Sequence, residues 1–157
     1  MLALLFALLQ TPSTAYMEES RAFAHDAALF AVCTGAGWRE GDLSGFTERR
    51  LALATANGLT PQQVQTIGAE QMQQEMAAWR PLLENRPVEL LQPKDRLTRD
   101  IQDRLRKLQT VEERLTVECP ALSARQPGMI EGSDDENLDR MRAAFTAVRT
   151  QYEKLID

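Results

Sequence analysis

A chain of 157 residues suits a single domain, long enough to bury a core without metals or several disulfides. Its formal charge of -5 argues against a general nucleic-acid binder, which needs net positive surface to displace counterions. With 43% hydrophobic, 26% charged and 6% aromatic residues, and with Ala, Leu, Gln, Glu and Arg abundant, the composition is that of an ordinary soluble globular protein and favours helix over strand.

The first seventeen residues carry no charged side chain, and Leu2 to Leu9 form an unbroken apolar run. That run is far shorter than the roughly 20 residues needed to span a bilayer as a helix. Gln10, Thr11 and Pro12 break it, and Ser13-Thr14-Ala15 offers small residues of the kind a signal peptidase reads. The pattern predicts a signal peptide over 1–15, cleaved near Ala15–Tyr16, and a mature domain over 16–157. It lacks the usual Lys or Arg before the apolar run. Two other readings remain: a buried or amphipathic first helix, and a start at Met17 that would make the protein cytoplasmic.

Five helices follow in chain order. Phe23, Ala27, Phe30 and Cys33 recur on one face of a helix over about 18–34, which Gly35 and Gly37 end. Trp38 to Leu43 reads as a polar turn. A short helix spans about 45–56, with Ser44 as its expected N-cap and Asn57-Gly58 as its stop. The third opens on Thr60 and Pro61, with Gln63 placed to close a capping box, and carries Val64, Ile67, Met72, Met76 and Trp79 on one stripe. Pro81 should end or kink it. The connection from Pro81 to Pro93 reads as irregular, with Leu82, Leu83, Leu90 and Leu91 packed on the core.

The fourth helix has the clearest period: Leu97, Ile101, Leu105, Leu108, Val111, Leu115 and Cys119 step by three or four, and Pro120 is expected to stop it. Along its outer face Asp95, Arg99, Asp103 and Lys107 alternate in sign, as do Arg96, Asp100 and Arg104, which marks a solvated ladder of pairs. After a loop over 121–132, Ser133 to Glu136 opens the fifth helix, with Leu138, Met141, Phe145, Val148, Tyr152 and Leu155 on its stripe. No segment alternates with period two. The expected fold is therefore all-α, a four- to five-helix bundle, mostly antiparallel.

Cys33 and Cys119 both fall in phase with buried stripes, so the sequence predicts a disulfide between them, closing about 86 residues of chain. Two buried free thiols are the alternative. A disulfide fits an exported protein, periplasmic or secreted.

No stretch reaches the standard of a catalytic, phosphate-binding or metal motif. His25 is the single histidine, and Asp26 beside it points about 100° away on a helix. Gly35 to Gly41 has the wrong spacing for a dinucleotide loop and follows a helix. The Gln- and Met-rich stretch from Gln62 to Met76 leaves an uncharged, adaptable face suited to another chain. The expected function is a non-catalytic protein-binding or accessory factor without cofactor or metal, with Trp38, Arg39, Met72 and Met76 as candidate binding residues. The partner is expected to be a protein rather than nucleic acid, and no membrane span remains after signal removal. The alternative is an enzyme or small-ligand carrier with a site near His25, Asp26, Trp38, Arg39 and Glu40 at one end of the bundle.

Overall fold

The computed structural model describes residues 11–83 and 87–156, and the apolar run Leu2–Leu9 lies outside them. Five helices follow one another: α1 (Thr14–Gly35), α2 (Ser44–Ala56), α3 (Pro61–Leu83), α4 (Lys94–Arg125) and α5 (Asp134–Glu153). Local chemistry starts most of them. Ser13 accepts a hydrogen bond from the Tyr16 amide at the head of α1. Thr60 and Gln63 exchange backbone-to-side-chain bonds of 2.9 and 3.2 Å at the head of α3, a closed capping box. Ser133 accepts from the Glu136 amide, and three acidic residues fill the first turn of α5. For α2 the expectation needs correction: Ser44 is its first residue, and the Asp42 carboxylate accepts from the Ser44 amide at 2.8 Å. That bond, with the Ser44 side chain, holds the Asp42 carboxyl below the usual carboxylate range.

Pro120 does not stop its helix as expected, whereas Pro81 stands two residues before the end of α3. α3 carries Pro81 inside its last turn, and α4 passes through Pro120 to Arg125. A proline inside a helix costs about 3 kcal/mol. Beyond Pro120 the continuation buries Leu122 completely and sets Arg125 against Asp26, contacts that offset the missing amide bond. The loop between α4 and α5 is correspondingly shorter than predicted, over 126–133.

Residue pairs fix the directions. Cys33 meets Cys119 while Asp26 meets Arg125, so α1 and α4 are antiparallel. Arg149 meets Glu112 and Tyr152 meets Arg104, so α5 is also antiparallel to α4. Ser20 meets Gln71 and His25 meets Glu75, so α1 and α3 run parallel, the short α2 having carried the chain back. α4 is thus the spine, opposed in direction to the three long helices around it.

The main core gathers Leu29, Val32, Trp38, Trp79, Leu115, Leu122, Met141 and Phe145 about the Cys33–Cys119 disulfide. The buried face of α1 is turned from the predicted stripe: Ala28, Leu29 and Val32 are buried, and Phe23, Ala27 and Phe30 pack at its margin. A smaller cluster of Tyr16, Ala54 and Val64 joins the start of α1 to α2 and α3. Of the connecting leucines only Leu82 packs on the core. Leu83 stays 41%, Leu90 59% and Leu91 98% exposed, so the expectation for these three is corrected. No helix among the described residues is long and apolar enough to cross a membrane.

The loops at the far end of α4 are clipped together. Glu40 and Ile130 form an isolated antiparallel bridge, with Gly41 N–H donating to the Met129 carbonyl at 2.8 Å and Glu131 N–H to the Arg39 carbonyl at 3.0 Å. A Cβ at Gly41 would stand 2.2 Å from the Gly128 carbonyl oxygen, so the approach requires glycine.

Two stability predictions follow from these ties. Replacing both Cys33 and Cys119 by Ser should cost about 2–4 kcal/mol in urea unfolding, and a reductant should bring the wild type to the same midpoint. A chain starting at Tyr16 lacks the Ser13 cap and places an α-ammonium at the positive end of α1; it should be about 1 kcal/mol less stable than one starting at residue 11.

Candidate functional site

Unequal helix lengths create a cavity along α4. The disulfide sets the last turn of α1 against the later part of α4, and α1 then stops at Gly35 while α4 continues the other way to Lys94. From Cys119 back to Lys94 roughly 37 Å of helix remains, at about 1.5 Å per residue. α3 and α5 flank that stretch, and the line of α1 beyond its end is open. A trough of about 360 Å³ results. Gly35 and Ala36 close one end, and Leu108, Val111 and Leu115 make the floor. Met76 and Leu82 stand on the α3 side, Phe145 and Val148 on the α5 side. Leu83 and Val148 form partly exposed lips.

Among the described residues, the charged ones of the lining are two cations, Arg104 and Lys107. Arg104 bonds to Asp100 at 3.3 Å and to the Pro87 carbonyl at 3.4 Å, and its guanidinium lies 6.0 Å from the centre of the Tyr152 ring. Burial works against its charge, but hydrogen bonds with Tyr152 and Asp100 outweigh that and make it more basic than an ordinary arginine. Lys107 pairs with Asp103 at 3.0 Å, and that hydrogen bond is the main reason the Asp103 carboxyl is held below the usual range.

A second cavity, also about 360 Å³, lies among α1, α2 and α3. Phe46 and Arg50 line it from one face of α2, Gly68 and Met72 from one face of α3, and Phe23 and Ala27 from α1.

The predicted site residues part company in three dimensions. Met76 belongs to the trough and Met72 to the second cavity. Trp38 is only 3% exposed and sits in the main core, so it offers no binding edge; its indole N–H has no partner among the described residues. Arg39 is exposed, and its amide donates to the Asn137 side chain at 2.9 Å. His25 Nδ1 lies 2.9 Å from Glu75 with half its side chain in solvent. Asp26 turns the other way, buried, and accepts from Arg125 at 2.7 Å and Gln126 at 2.8 Å. Neither cavity is lined by His25, Asp26, Trp38 or Arg39, and Glu40 lines a separate hollow with Gly41 and Gly128. Gln71 departs from the expected outer face as well: it is buried, accepts from Ser20 at 2.7 Å and donates to the Met17 carbonyl at 3.0 Å.

Sequence reasoning read Arg104 and Lys107 as part of a solvated ladder. The ladder exists, with Asp95–Arg99 at 3.3 Å and Asp103–Lys107 at 3.0 Å, but these two also border apolar space. Arg50 and Gly68 were not singled out at all, although a glycine inside a helix is itself a signal of close packing.

Asp26 is a structural clamp, so Asp26→Ala should lower stability by about 1–2 kcal/mol, a charged hydrogen bond discounted for the half-exposed Arg125. Urea unfolding measures it, and the trough should be unaffected. Comparison with known protein families, with curated proteins and with solved structures finds no match to this chain.

Proposed function

We propose that the protein is an exported, non-catalytic binding factor, and that the trough beyond α1 receives an amphipathic helix of a partner protein. The trough is the observation that carries this reading. From Arg104 to Leu115 it runs about 16 Å along α4, or three helical turns. A guest helix could set apolar anchors at three- and four-residue steps on that floor. Such a helix would stand where α1 leaves off, between α3 and α5. Leu83 and Val148 at the lips, with Leu90 and Leu91 in the following connection, give further apolar surface for a partner to cover. Export is supported by the buried disulfide, which an oxidising compartment maintains, together with the apolar run Leu2–Leu9. One observation favours a second reading, a small amphiphile: the volume lies at the low end of the about 300–1,000 Å³ typical of ligand clefts.

Gly35 supplies the test. A Cβ there meets nothing within 4 Å, so Gly35→Trp should fill the trough without disturbing α1. Wild type and plugged variant are used in parallel to recover partners from the native extracellular or periplasmic fraction, and each recovered protein is then purified and titrated. A purified partner that binds wild type at least about tenfold tighter than Gly35→Trp, and whose binding is reproduced by one of its own helices, supports the proposal. Equal binding to both proteins overturns it. A lipid-like molecule carried by wild type and absent from Gly35→Trp in native mass spectrometry replaces the protein partner with the small-ligand reading.

A further inference from the structure

We propose that the cavity among α1, α2 and α3 is a separate binding site for a small carboxylate with a compact apolar body, and that Arg50 is the residue that recognises it. Arg50 is partly buried and is, among the described residues, the one charged residue of the lining. Its single hydrogen bond among the described residues runs from Nη2 to the Val64 carbonyl at 3.4 Å, the outer limit of such a bond. No carboxylate among them lies within 4.0 Å of it, in contrast to Arg104, Arg114, Arg125 and Arg149. A partly buried guanidinium without an anion keeps most of its five donors available for one.

The seat of this cation is built. A Cβ at Gly68 would collide with Arg50 Nη2 and stand 3.1 Å from its Cζ, so the guanidinium lies against α3 at Gly68, and an alanine there would push that flexible tip aside. Phe46, one turn before Arg50 on α2, meets Phe23 of α1 edge to face at 5.3 Å. Those rings and Met72 provide an apolar wall beside the charge. A planar carboxylate matches a guanidinium fork with two parallel bonds. A phosphate dianion would call for more cations than the one present. The apolar wall in turn excludes a bare inorganic anion as the best fit. The site shares no lining residue with the trough.

The experiment titrates the full chain with phenylacetate and with the neutral, isosteric phenylacetamide, read by calorimetry and by chemical-shift changes at Phe23 and Phe46. The acid should bind one to one and about tenfold or more tighter than the amide, the difference a charged hydrogen bond makes. Arg50→Gln should erase that difference. Gly68→Ala should erase it too, by displacing the guanidinium while leaving its charge in the chain. Because alanine favours a helix interior over glycine, its melting midpoint should not fall below that of the wild type. Gly35→Trp should bind phenylacetate as the wild type does, which separates this site from the trough whether or not the trough has a partner. Equal affinities for acid and amide, no saturable binding of the acid, full discrimination in Gly68→Ala, or loss of binding in Gly35→Trp would each overturn the proposal.

Discussion

The bond between Cys33 and Cys119 sets the level at which α1 stands against α4, and most of the molecule's shape follows from that level. With the last turn of α1 held there, the 22-residue helix is too short to accompany the 32-residue one along its length. The core forms where the two overlap, around Leu29, Val32, Leu115 and Leu122. Where they do not overlap, α4 is supported only from the sides, and its apolar stripe is partly open. The same stripe is thus core at one end and the floor of the trough at the other.

The helices, most of their caps and the cysteine pair were legible in the sequence because each depends on neighbours a few residues apart. The capping box at Thr60 and Gln63 and the cap at Ser133 are of this kind. Even the disulfide could be read, since both sulfurs lie in phase with apolar stripes. What escaped depends on residues far apart in the chain. Pro120 should end a helix on its own terms, but Leu122 and Arg125 find partners across the bundle and carry the helix on. Gln71 looks like surface until Ser20, 51 residues earlier, is placed beside it. The trough is a difference between two helix lengths. Neither helix records it alone.

Buried polar groups in this protein join elements. Asp26 links α1 to the end of α4, Gln71 links α3 to α1, and Asn137 holds the Arg39 amide while donating to the Glu131 carbonyl. Each is satisfied by specific partners, so each adds registry that apolar contact alone would leave loose. The charges bordering the cavities differ in kind. Arg104 and Lys107 are neutralised one turn away on their own helix, whereas Arg50 has no such neighbour.

The bridge between Glu40 and Ile130 gives the bundle a mechanical polarity. At the C-terminal end of α4, this bridge, the Asn137 bonds and the Asp26 clamp tie loops and helices together, with the disulfide a short way above. At the other end α5 is tied to α4 by the Arg149–Glu112 pair and by the contact of Arg104 with Tyr152, both made by side chains. Among the described residues, the backbone-to-backbone bonds between elements thus gather at one end of the spine, and the trough opens toward the other.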